Sequence, residues 1–257
     1  MGVLVAAVAV GGIFFVSRDG GAPGPARTVA GATPTARPSS TPSAGSSQSP
    51  SPGSSTRNPG APGAAPTPSP AQVPAVVPGW SAVESRELVV YDVPPDWSVE
   101  QGSLLVGFQA AAGLVIMHNS ATYQDRTCPG DASSSRGRAG LVSTKESSPR
   151  GAAAAASEQW AKVAASDDGG PGASIGDTSV TTIKVAAGSV EATAATRVLT
   201  IPQPQPCQAP SMTFTAVSFE VKGRVVVFML YLDQGVADAL PADVATRILG
   251  SLRPIGP

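Results

Sequence analysis

TFTAVSFEVKGRVVVFMLYL, residues 213–232, decides the class of fold. Thr213–Val221 and Val225–Leu232 are dense in β-branched and aromatic residues, which pack well on a pleated surface. Lys222-Gly223-Arg224 stands between them, a turn built around the residue type that takes positive φ without steric cost. Strands joined by so short a turn run antiparallel, because parallel neighbours need a long crossover. The same pattern recurs upstream. Val180–Ala187 and Val190–Ile201 flank Gly188-Ser189, and Leu104–Gln109 and Leu114–Tyr123 flank Ala110–Gly113. Leu88–Val93 ends at Pro94-Pro95, and Trp80–Glu84 supplies one more short strand. The expectation is an antiparallel sheet of seven or eight strands in a hairpin meander.

Two helices interrupt the strands. Ala152–Ala165 is Ala-rich, with Glu158 and Lys162 spaced as an i,i+4 ion pair. Within it Trp160, Val163 and Ala164 share a face with Ala153 and Ala156. The last element runs from about Val236 to Leu252, where Leu240, Val244, Ile248 and Leu252 form one apolar stripe. Pro241 marks a fresh first turn there and Arg253-Pro254 ends it. Strands and helices set apart in the order make the class α+β, a sheet flanked by two helices.

The chain of 257 residues contains three materials. Residues 1–19 hold Gly2–Val16, fifteen residues without a charge. As a helix they span roughly 22 Å, against a hydrocarbon core of about 30 Å. No basic residue precedes the run, and the small-x-small site Ala30-Gly31-Ala32 lies far beyond it. A cleaved signal peptide therefore fits less well than a single membrane anchor, although both remain open. Residues 20–79 are a linker: fifty of these sixty residues are Gly, Ala, Pro, Ser or Thr, and fourteen are Pro. Such a tract cannot bury enough apolar surface to offset its ordering entropy, so it reads as a disordered stalk. Its Ser-Pro and Thr-Pro steps suit O-glycosylation as well as a plain spacer. Residues 80–257 carry all three Trp, all three Tyr and both Cys, and their length suits one domain.

Within that domain Trp80, the run Tyr91-Asp92-Val93-Pro94-Pro95-Asp96-Trp97, a hairpin with Gly107-Phe108, a spaced Cys pair and a closing Leu240-Pro241…Ile248-Leu249-Gly250-Ser251-Leu252-Arg253-Pro254 stand out. Together they resemble an actinobacterial family with a domain of unknown function. That family is carried on membrane-anchored proteins behind Pro-rich linkers. The opening strand, Val-Pro-x-x-Trp and hairpin are also similar to the PsbP-like sandwich. The resemblance implies an architecture and a location, and it brings no assigned activity.

Composition and motifs narrow the function by exclusion. The net charge of −1 is not that of an electrostatic nucleic-acid binder. One histidine and two cysteines exclude Cys/His-rich zinc sites, and no fingerprint for a nucleotide, metal or other cofactor is present. Gly172-Ala173-Ser174-Ile175-Gly176 matches G-x-S-x-G, but a polar loop precedes it and a strand follows. The only histidine, His118, lies upstream of that serine, so the match reads as chance. His118 sits mid-strand and could serve as a general base, yet nothing in sequence supplies its partner. Asp92, Asp96 and Asp125 are candidate paired carboxylates whose spatial separation cannot be read. Ser133-Ser134-Ser135-Arg136-Gly137-Arg138 reads as a loop with solvated charges.

Cys128 and Cys207 form the most informative pair. Behind an export segment two cysteines most simply make one disulfide, with two unpaired buried thiols as the alternative. The expectation is a single-pass cell-membrane protein with its C-terminal domain outside, binding a partner or ligand at the envelope without catalysis. A structural cell-wall role, or an envelope hydrolase using His118, are the alternatives.

Overall fold

The computed structural model of the chain describes residues 73–100, 104–167 and 169–256, together with the backbone of residues 3–9 and 12–16. The linker expected over 20–79 therefore lies outside the described residues up to position 72. Near the N-terminus β1 (Val3–Ala9) and β2 (Gly12–Val16) pair as a hairpin. In the domain follow β3 (Ser81–Glu84), β4 (Val89–Val93), β5 (Ser98–Val99), β6 (Leu104–Ala110), β7 (Gly113–Tyr123) and β8 (Gly137–Val142). The helix α1 (Pro149–Asp167) separates these from β9 (Ser174–Ile175), β10 (Ser179–Val185), β11 (Val190–Thr200), β12 (Ser211–Val221) and β13 (Arg224–Gln234). The chain closes with α2 (Ala242–Ser251) and β14 (Arg253–Pro254).

The fold is α+β, as the hairpins implied. The main sheet runs β10-β11-β12-β13-β8-β7-β6-β1-β2, with β5 added to β7 and β9 to β11. Nine of its strands come from residues 98–234, three more than the pattern there predicts: β5 and β9, too short to express a period, and β8, whose Gly137-Arg138 start has the composition of a loop. A second sheet, β14-β4-β3, lies apart from it in pairing. Two meanders, β6-β7-β8 and β10 to β13, meet where β13 pairs antiparallel with β8 (Leu230↔Ala139, Tyr231↔Arg138). The hairpin at 213–232 is present with Lys222 at φ 50° and Gly223 at φ 73°, the left-handed pair that a two-residue turn requires.

β13 explains why its sequence is apolar throughout. Val226, Phe228, Leu230 and Leu232 enter one core, while Val227, Met229 and Tyr231 enter another. A strand buried on both faces shows no alternation. On one side α1 packs its Ala-rich face, and Trp160 meets Phe108 edge-on at 5.9 Å between centroids. On the other side the small sheet and α2 cover the core, with Tyr91 against Phe228 at 4.8 Å. The small residues of α1 let it lie close to the sheet, and Trp160 fills the space that remains.

Two boundaries differ from expectation. α2 starts at Ala242, not near Val236, because Pro241 lacks an N–H and the preceding residues are held by a side-chain contact of Asp238 described below. The described part of the domain also begins before Trp80, at residue 73. The buried carboxylate of Asp92 accepts the amides of Val76 (2.7 Å) and Val77 (2.9 Å) and pairs with Arg253 at 2.9 Å. Arg253 in turn donates to the Pro74 carbonyl. The apolar composition of 80–257 marks the core, but this polar clasp adds Pro74, Val76 and Val77 to the domain. Among the described residues no helix is long and apolar enough to cross a membrane.

Candidate functional site

The first side chain to explain is Arg136. Its backbone extends the sheet on both sides, donating to the Tyr123 carbonyl (3.0 Å) and accepting from the Asp233 amide (2.8 Å). That places a guanidinium in a site where Arg136 is only 7% exposed. A buried charge is tolerated when it is paired and hydrogen-bonded. Here Nε donates to both Asp238 oxygens at 2.9 Å, and Nη1 donates to Asp233 at 3.2 Å and to the Cys207 carbonyl at 2.9 Å.

The cysteines meet beside this cluster. Their sulfurs stand at disulfide distance, 2.14 Å, with Cα atoms 5.8 Å apart, which joins the segment after β7 to the segment before β12. Arg136 Nη2 reaches toward Cys207 Sγ at 3.8 Å. The loop after Cys128 is ordered locally. Ser134 Oγ accepts the Cys128 amide and donates to the Asp131 carbonyl, while Asp131 accepts from the amide and hydroxyl of Ser133. Small polar side chains that bond their own backbone are what make a tight Ser-rich turn possible.

Between the two joined segments and the sheet lies a cavity of about 210 Å³. Its apolar wall is Phe108, Met212 and Tyr231, and its polar wall includes Asp131, Arg136 and Asp233. Phe108 and Tyr231 are 5.2 Å apart between ring centroids. Burial pushes the Asp233 carboxyl up to about 6, against the opposing pull of the Arg136 hydrogen bond and charge. Asp238, more exposed, is held below the usual carboxylate range chiefly by its hydrogen bond from Arg136. The cavity therefore combines aromatic area, a titratable carboxylate and a covalent strap, the ordinary ingredients of a small-ligand site.

The other sequence candidates lie elsewhere. His118 has a partner after all: Nε2 is 3.4 Å from Glu87, and Nδ1 is 3.1 Å from Asn119 Oδ1. It stands at an irregularity of β7, where Asn119 takes φ 47°, and it does not line the cavity. Asp92 is spent in the clasp with Arg253. Asp96 is exposed, and Asp125 pairs with its exposed neighbour Arg126 at 3.2 Å. Ser174 opens β9 with no helix behind it, as the chance reading of G-x-S-x-G expected. Trp97 is buried and stacked on Tyr123. The loop arginines are the correction: Arg136 and Arg138 are buried, not solvated, because Asp233, Asp238 and the Ser133 carbonyl receive them. Sequence could not join residues about 100 positions apart. The visible sign was Asp233, the first charge after an eight-residue apolar strand.

Residues 73–257 match a family model described as a domain of unknown function, DUF8017. The chain belongs to that family. The match begins at residue 73, where the DUF8017 domain's clasp to Asp92 and Arg253 also begins. No curated protein matches the chain.

Proposed function

We propose that this DUF8017 domain is the extracytoplasmic, ligand-binding part of a membrane-tethered envelope protein, and that it binds without catalysis. The observation that carries the reading is the cavity between the two cysteine-bearing segments. Its polar groups are engaged with one another rather than arranged as a nucleophile and base, and His118 stands apart from it. The cysteine pair supports an oxidising compartment, in which such a pair is a lasting bond. The uncharged run of residues 2–16, followed by the Pro-rich tract, supports tethering by a single N-terminal anchor. Such anchoring would take β1 away from the β6 edge and into the bilayer. The actinobacterial setting and the PsbP-like sandwich suggested by Tyr91–Trp97 belong to the same reading.

The test is retention of a native ligand. The full-length protein is incubated with a deproteinised extract of its own cell envelope, washed and denatured, and the released small molecules are read by mass spectrometry. The wild type should retain a compound that a Ser135→Trp variant, which adds an indole at a residue lining the cavity, does not. Identical recoveries from both would refute binding at this cavity.

A further inference from the structure

We infer that the groove between the loop at 85–88 and the β12–β13 turn is a second ligand site, which takes a phosphate group carried on a short apolar chain. It shares no lining residue with the cavity at the cysteines, and its existence is independent of binding there.

Charge selects the head group. The groove has a volume of about 320 Å³, and Arg86, Lys222 and Arg224 line it, all exposed. Among the described residues none of these three side chains has an ion pair. Glu87 is the one acid that lines the space, and its carboxylate stands 3.4 Å from His118 Nε2. Three cations against one carboxylate leave an excess of positive charge, which attracts an anion. Guanidinium forks match phosphate oxygens, and a phosphate monoester carries close to two negative charges at neutral pH. It therefore uses three cations better than a carboxylate does. The Ser143 hydroxyl lines the same space and can donate to a phosphate oxygen.

The backbone holds this charge at a conformational cost. Lys222 takes φ 50°, a left-handed position where Asn or Gly is the unstrained choice. Leu88 takes φ 61°, uncommon for a bulky residue. Its loop keeps it there: the Leu88 amide donates to the Ser85 carbonyl, and the Ile255 amide donates to the Leu88 carbonyl at 2.7 Å. Such positions cluster at ligand sites. The floor selects the body. Leu88, Val142 and Val225 are half-buried there, so a short alkyl chain below the head group covers apolar area left open to water.

The experiment titrates butyl phosphate, pentanoate, butanol and inorganic phosphate into the full-length protein in non-ionic detergent at fixed ionic strength. The amide resonance of Gly223 is followed. Butyl phosphate should move it saturably, at least about fivefold more tightly than pentanoate, and butanol should not move it. Inorganic phosphate, which cannot use the floor, should bind at least about fivefold more weakly than butyl phosphate. Lys222→Asn places the residue that the turn prefers, so the melting temperature should hold or rise while the affinity for butyl phosphate falls at least about fivefold. Adding Arg224→Gln should abolish binding. Micelles doped with phosphatidylglycerol or phosphatidylcholine separate the sources of the phosphate. Movement toward the bound position with phosphatidylglycerol alone marks a lipid headgroup, and movement with neither marks a soluble phosphate; both agree with the site. Movement with both would contradict selection by charge. A missing saturable shift, butanol, pentanoate or inorganic phosphate binding as tightly as butyl phosphate, or a double variant that binds like wild type would each overturn the phosphate site. None of these results touches the cavity at the cysteines.

Discussion

Arg136 is the residue on which the site turns. Removing it leaves Asp233 buried without its counter-charge, so Arg136→Met should destabilise the domain by about 3–5 kcal/mol in denaturant unfolding. Arg136→Met with Asp233→Leu should recover a good part of that loss, because the charge no longer needs a partner. Asp233 also sets a pH dependence of stability. Its folded carboxyl titrates near 6, above its ordinary value, so the folded state holds this proton more tightly than the unfolded chain. Stability from this group is present at low pH and is lost as the pH rises toward and through 6. Melting temperatures of wild type should therefore fall from pH 4 to 7 relative to Asp233→Asn, in which this component is absent. A rising difference would contradict the assignment.

At the scale of elements, the disulfide-distance pair closes a loop of 79 positions that holds β8, α1 and β9 to β11. In the chain-entropy picture such a crosslink contributes about 4.5 kcal/mol. Cys128→Ser should lower the melting temperature clearly, and dithiothreitol should lower wild type to the level of that variant. The β6–β7 hairpin is equally specific. A side chain at Gly107 would collide with the Val115 carbonyl, so Gly107→Val should prevent the two strands from closing. The long hairpins, α1 and the stripe of α2 were legible because each writes a local period into the chain. The two-residue strands β5 and β9 were not, since two residues cannot express a period. The cavity was legible only in its cysteines. Its other walls join β6, β12, β13 and the loop at 133–136, and contacts across about 100 positions leave no local mark. Asp92 belongs to the same group: it reads as a possible catalytic acid in sequence and is a structural clasp in space.

For the whole molecule, the clasp at Asp92 and Arg253 holds the N-terminal edge of the domain at residues 74–77. Limited proteolysis should leave a stable fragment beginning near residue 73, and Asp92→Ala should move the cleavage toward Trp80 while costing about 3–5 kcal/mol. A protected fragment reaching back to residue 40 would contradict the tract's reading as a stalk. Whether a disulfide holds this cavity together on the outer side of the membrane is read from the thiol state of Cys128 and Cys207 in intact cells. A membrane-impermeant maleimide should label neither cysteine, and lysis under denaturing conditions without reductant should expose none. Treating intact cells first with an impermeant phosphine should make both available. Thiols that label on lysis with no reductant would contradict the bond and the compartment together.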